Sequence, residues 1–193
     1  MKKTEGIFKE LYRLDTKTGA YIIEIALDKY SDIFCEWDPA PYKLRDIDPD
    51  LELYLEGCSD DIPFRYPLIV SFTIPKGIRE EKIERQARKG LRNGFKFKIY
   101  FINKDIAQTN ARTLLFILVG FAFLWVATIF PKQLTASVFP SILVEGIFIG
   151  GWVFLWEAIT LLLFTTSGLY HKSRIYKRLL NSTIVFREII YDS

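Results

Sequence analysis

Residues Thr113–Phe130 read TLLFILVGFAFLWVATIF, eighteen in succession without a charged side chain. A second apolar run follows at Phe139–Phe164, FPSILVEGIFIGGWVFLWEAITLLLF, whose twenty-six residues include only two charges, Glu145 and Glu157. A hydrocarbon layer of about 30 Å takes roughly 20 helical residues to cross. The first run meets that length narrowly, and the second exceeds it and would tilt. The short connection between them, Pro131–Val138, makes the two spans antiparallel neighbours. Burial of both runs inside a water-soluble fold is the competing reading, and the rest of the chain is too small to cover them.

Outward from these runs the composition divides. Half of the 193 residues are hydrophobic and a quarter are charged, and the charge lies almost entirely outside the two runs. Lys96, Lys98, Lys104 and Arg112 precede the first run, and Lys172, Arg174, Lys177 and Arg178 follow the second. The connection between the runs has Lys132 alone. Basic residues stay on the cytoplasmic side of short loops, so the expectation is a protein that crosses the cell membrane twice with both termini inside. Met1-Lys2-Lys3-Thr4-Glu5 leads into no apolar stretch of signal-peptide kind, which leaves insertion to the internal spans.

The remainder reads as a cytoplasmic α+β domain, a small sheet with helices, attached to the two-helix transmembrane hairpin. Ala20–Leu27 and Leu68–Ile74 are rich in β-branched residues and read as strands, the second bounded by Pro67 and Pro75. Asp48-Pro49 opens a helix to about Cys58, with the aspartate as cap and the proline in the first turn. Glu36-Trp37-Asp38-Pro39-Ala40-Pro41 reads as irregular, because each proline restricts the residue before it. From Arg79 the pattern turns helical, with Ile83, Ala87, Leu91, Gly94 and Lys98 on one face. Phe95, Phe97, Ile99 and Phe101 alternate with polar neighbours and also fit a strand; the nearby span favours helix, the form that satisfies its backbone in lipid. The resulting division is a domain over 1–104, a juxtamembrane helix over 105–112, spans over 113–130 and 139–166, and an external loop over 131–138. A cytoplasmic tail covers 167–193, and its strand at 183–190 joins the N-terminal sheet.

Few residues point to chemistry. No phosphate-binding glycine loop, nucleophile elbow or dinucleotide fingerprint is present, so no cofactor and no enzyme activity are expected. Cys35 and Cys58 stand apart from the single histidine and read as structural thiols, with no metal site. His171 reads with Tyr170 as part of the interfacial belt. The net charge of +3 is too small to argue for nucleic acid. The informative side chains are Glu145 and Glu157, since a carboxylate within a span needs a partner, water or a proton. Gly146, Gly150 and Gly151 offer a surface for close helix packing, and Gly146, Gly150, Val153 and Glu157 share a stripe. Lys82, Arg85, Lys89, Arg92 and Lys96 recur at steps of three and four, which makes one basic stripe for lipid headgroups or an acidic partner. Acidic neighbours at Asp46, Asp48, Asp50, Glu52 and Glu56 offer an internal alternative.

The segments YIIEIAL (Tyr21–Leu27), EWDPAP (Glu36–Pro41) and EGIFIGGWVFLWEA (Glu145–Ala158) resemble a group of small two-span prokaryotic membrane proteins. The resemblance implies a cytoplasmic-membrane location and carries over no activity or ligand residue. Three functions fit the sequence. The first is a non-enzymatic, oligomeric membrane protein that anchors or assembles a cytoplasmic domain, with membrane lipids, further copies and a cytoplasmic protein as its partners. The second is a small oligomeric channel or proton unit using Glu145 and Glu157. The third is a membrane-bound enzyme with carboxylates around Glu36, Asp38, Asp46 and Asp48.

Overall fold

The computed structural model describes residues 11–129 and 138–188. The connection expected over 131–138 therefore lies outside the described residues, apart from Val138. The described chain divides into two compact units, 11–100 with 173–188, and Phe101–Lys172.

In the first unit, β1 (Arg13–Asp15) and β2 (Ala20–Ala26) form an antiparallel pair. Gly19 closes their turn: its N–H donates to the Asp15 carbonyl at 2.8 Å with φ at +67°, a conformation that glycine adopts without a Cβ penalty. β3 (Leu68–Ile74) lies parallel to β2, and β4 (Thr183–Glu188) lies parallel to β3, giving the order β1-β2-β3-β4. Parallel neighbours need long crossovers. The one from β2 to β3 contains a 3-10 turn (Tyr30–Ile33) and helix α1 (Pro49–Asp61). The one from β3 to β4 takes in both apolar runs. Tyr21, Ile23, Val70, Phe72, Ile184 and Phe186 share one sheet face and are all buried.

The Asp48 carboxylate accepts from the N–H groups of Asp50 and Leu51 at 3.0 and 3.2 Å, and Pro49 occupies the first turn, so α1 starts as its residues dictate. It runs to Asp61, beyond the expected Cys58.

Helix α2 is unbroken from Glu81 to Ile129, which makes residues 95–101 helical. Their alternation is a coincidence of position. Ala87, Leu91, Phe95, Ile102 and Ile106 are buried at helical spacing, whereas Phe97 and Phe101 are exposed. The buried face thus passes through Phe95, one residue beyond the expected Gly94. The second apolar run begins in α3 (Val138–Thr160), passes through a π-helical turn (Leu161–Thr165) and continues as α4 (Thr166–Leu180). Most of the segment read as a tail is therefore helix up to β4.

Two side chains of α4 tie the C-terminal segment into the first unit. Tyr176 is buried, with its hydroxyl 2.7 Å from Glu52 Oε1 and 2.8 Å from Glu56 Oε2. Lys98 meets the same Glu52 oxygen at 2.8 Å. The Arg178 guanidinium donates to four carbonyls, those of Ser59, Ile62, Pro63 and Tyr66, at 2.6 to 3.0 Å. These acceptors lie at and just beyond the C-terminal end of α1, where helix carbonyls lack intrahelical partners. Arg174 stacks on Phe64 at 4.5 Å. Several cations that flank the apolar runs thus also have packing roles.

In the second unit, α2 and α3 pack through glycines. A Cβ on Gly120 would lie 3.0 Å from the Gly151 carbonyl, and one on Gly151 would lie 2.9 Å from Leu124 Cγ. Phe154 completes the contact, 5.8 Å from Phe116 and 5.5 Å from Phe123. Two helices, Glu81–Ile129 and Val138–Leu180, are long and apolar enough to cross a membrane.

Candidate functional site on the long helix

The connection from Phe34 to Ile47 is irregular in secondary structure but closely held. Its ends meet in an antiparallel bridge between Phe34 and Ile47, and Cys35 N–H donates to the Asp46 carbonyl at 2.9 Å. Asp38 closes the interior, accepting at 2.9 Å from the N–H groups of both Ala40 and Asp46. Those backbone donors hold its carboxyl below the usual aspartate range, the Ala40 bond contributing most and nearby Arg45 adding to it.

Two glycines one turn apart let this loop sit directly on α2. A Cβ on Gly90 would collide with the Tyr42 carbonyl, and one on Gly94 would fall 2.6 Å from Ile47. Asn93, between them, donates from Nδ2 to the Lys43 carbonyl at 2.8 Å. Gly94 is thus a contact for the loop, and Gly90 is its unread companion. The spacing Gly90-x-x-x-Gly94 was available in the sequence, and its significance depends on a loop that lies far away in the chain.

The seated loop presents apolar surface. Trp37 is 93% exposed, and Leu44, Phe97 and Tyr100 are each about 60% exposed. Leu44, Arg45, Gly94, Lys96, Phe97 and Tyr100 line a cleft of about 530 Å³. Arg45 is fixed there by a 3.0 Å bond from Nε to the Ala40 carbonyl and by its stacking on Tyr42 at 5.2 Å. Asp46 lines the same cleft.

Lys82, Arg85, Lys89, Arg92 and Lys96 are all exposed on α2. Among the described residues, only Arg85 of these five enters an ion pair, a loose one with Glu81 at 3.8 Å. The acidic neighbours form no ion pair with the stripe among the described residues: Asp48 caps α1, Glu52 and Glu56 converge on Tyr176, and Asp46 lines the cleft together with Lys96. Asp50 lies in the first turn of α1.

Glu145 and Glu157 are both exposed on α3 and join no ion pair among the described residues, with Arg112 or otherwise. The buried residues of α3 are Gly151 and Ala158, so the stripe through Gly146, Gly150, Val153 and Glu157 is displaced from the contact with α2. Of the three glycines singled out, Gly151 packs tightly and Gly150 borders Phe123, whereas Gly146 meets open space. The partner Gly120 set this choice, and nothing within α3 distinguishes its glycines. Glu145 helps line a small cavity with Ala127, Val144, Phe148 and Ile149.

Other polar clusters belong to the framework. Glu84, nearly inaccessible, is held by Arg79 and Arg88 at 2.8 Å each. The Tyr12 hydroxyl bonds to Asp61 at 3.0 Å, and burial together with Cys58 pushes its pKa up. Cys35 and Cys58 are free thiols. Of the carboxylates considered for an enzyme, Asp38 and Asp48 accept backbone bonds that shape the loop and cap α1. No group of residues among those described has a metal-binding arrangement. No family model matches the chain, and no curated protein or solved structure matches it either.

Proposed function

We propose that this chain is an integral membrane protein in which two neighbouring helices cross the cell membrane and hold the sheet-containing unit on the cytoplasmic side as a non-enzymatic platform. The observation that carries the reading is exposure. The best membrane-length window of each long helix is only 11% buried. Leu118, Trp125, Trp156 and Phe164 are exposed by 60% or more. Soluble proteins rarely leave continuous apolar surface of this kind to water, and lipid is the simplest cover for it. Basic residues flank both apolar runs on the sides nearest the termini, which supports termini inside. Membranes washed in alkaline carbonate should retain the protein, and detergent should release it. Release by carbonate alone would refute the reading.

The platform assembles with further copies through the outward face of α3. A carboxylate facing hydrocarbon costs from about 2.5 kcal/mol upward. A neighbouring helix lying over Gly146 would cover Glu145 and Glu157. Mass measurement in nanodiscs should give more than one copy, and Glu157→Gln should alter that number. A monomer in both would remove this part.

The position of Glu157 off the α2–α3 contact, and of Glu145 in the cavity bordered by Ala127, also favours a second reading, a multi-subunit proton or ion pathway. Two spans cannot enclose a pore, so several copies would line it. Proton or cation flux into liposomes, abolished by Glu145→Gln or Glu157→Gln, would favour this over anchoring. Absence of flux from an oligomeric preparation would exclude it.

A further inference from the structure

We propose that the seated loop and the basic stripe of α2 form one docking surface for an acidic segment of a soluble partner protein, with an apolar anchor residue entering the Leu44–Tyr100 cleft. This rests on the platform reading and gives the partner a chemistry.

Three observations converge on the surface. First, Trp37 stands 93% exposed on a loop that is not loose. The bridge at Phe34 and Ile47, the two bonds to Asp38 and the seat on Gly90 and Gly94 all fix it. A held, exposed tryptophan has already met the ordering cost that a binding loop otherwise meets on docking, and tryptophan, tyrosine and arginine are the side chains that dominate protein interfaces. Second, the cleft where the loop meets α2 combines apolar walls with the fixed Arg45 and with Lys96, alongside one carboxylate, Asp46. Third, Lys96 is also the last member of the basic stripe. From Lys82 to Lys96 the stripe covers fifteen residues, about 21 Å of helix from first to last, which matches an elongated acidic segment rather than a single anion.

Charge and length select among possible occupants. A second copy of the same surface would set cations against cations in a twofold contact, which disfavours self-association here. An anionic lipid surface would meet the charge of the stripe but offers no single apolar side chain for the Leu44–Tyr100 cleft. Nucleic acid would offer the charge and stacking bases, but the cleft is one recess rather than a row of stacking platforms.

The test uses the full chain in phosphatidylcholine nanodiscs and a fluorescein-labelled fourteen-residue peptide of glutamates with leucine and phenylalanine at every fourth position. Saturable binding is expected, weakened at least tenfold by Trp37→Ala, by Arg45→Gln combined with Lys96→Gln, and by 0.5 M salt. A peptide with glutamine for glutamate, or serine for its apolar residues, should bind at least tenfold more weakly. Trp37 is almost wholly exposed, so its replacement leaves the core intact, and Lys17→Gln in the turn between β1 and β2 should change nothing. Binding indifferent to these variants overturns the proposal, as does tighter binding of a twelve-residue oligothymidylate. It also falls if anionic vesicles with 30% phosphatidylserine blue-shift the Trp37 emission, taken as wild type minus Trp37→Phe, without peptide. A chain that stays in solution without amphiphile would sink the anchoring reading, yet peptide binding would remain measurable in plain buffer.

Discussion

Arg178 shows how much one side chain can hold. Its fork satisfies four carbonyls around the end of α1 from a helix more than a hundred residues away in the chain. Each carbonyl left unsatisfied costs about 1–3 kcal/mol when shielded from water. Arg178→Ala is therefore expected to destabilise the sheet-containing unit by about 3 kcal/mol or more, and Arg178→Lys should recover little, because an ammonium cannot span four acceptors. Urea denaturation followed through tyrosine and tryptophan signals measures both. Glycines give a cleaner contrast. Gly57, within α1, has open space around it, so Gly57→Ala should stabilise by about 0.5–1 kcal/mol through helix propensity alone. Gly90→Ala carries the same propensity gain but drives a methyl into the Tyr42 carbonyl, and overpacking of this kind costs about 1–3 kcal/mol. It should destabilise, and amide exchange over residues 36–46 should quicken. Asp38 adds a pH dependence. Its folded pKa lies below the unfolded value of about 3.9, so its contribution is present above that value and is lost as pH falls through the folded pKa. The Trp37 environment should stay constant from pH 8 to 5 and change only below about pH 4. A transition near pH 6 would contradict this assignment.

At the scale of elements, the α2–α3 pair depends on the Gly120–Gly151 approach. Gly151→Leu should push the helices apart and lower the thermal midpoint of helix loss in detergent, whereas Gly146→Leu should leave that midpoint in place and reduce the oligomer. Equal effects of both substitutions on the midpoint would contradict the geometry. Elements whose signal is local were legible in the sequence. Leu68–Ile74 sits between prolines and is β-branched, Asp48-Pro49 starts a helix by its own chemistry, and the two apolar runs declare themselves by length. β1 was not legible, because three largely exposed residues carry no alternation. The parallel order of β2, β3 and β4 was not legible either, since register between distant strands is set by contacts such as Phe72 with Phe186 rather than by local pattern. The phase of the α3 packing face depended on Gly120 and Leu124 of another helix, so Gly146 and Gly151 could not be ranked from α3 alone. The docking surface was half legible. Its basic stripe shows in the spacing of five residues, and its apolar half exists only because a loop fifty residues away rests on two glycines.

For the whole molecule, the sheet needs both ends of the described chain. β4 and the Tyr176 and Arg178 contacts come from beyond the second apolar run, so the two runs form an insertion within the sheet-containing unit rather than an appendage to it. On the proposed reading both connections to that unit lie on one side of the membrane, which a chain crossing twice satisfies and a chain crossing once cannot. Side-selective labelling tests this most directly. In a Cys35→Ser, Cys58→Ala background, Thr135→Cys and Lys76→Cys would each be exposed to a membrane-impermeant maleimide on intact cells. The account predicts labelling of the cysteine at 135 from outside, and labelling of the one at 76 only after lysis. Labelling at 76 from outside, or protection at 135 until lysis, would contradict it.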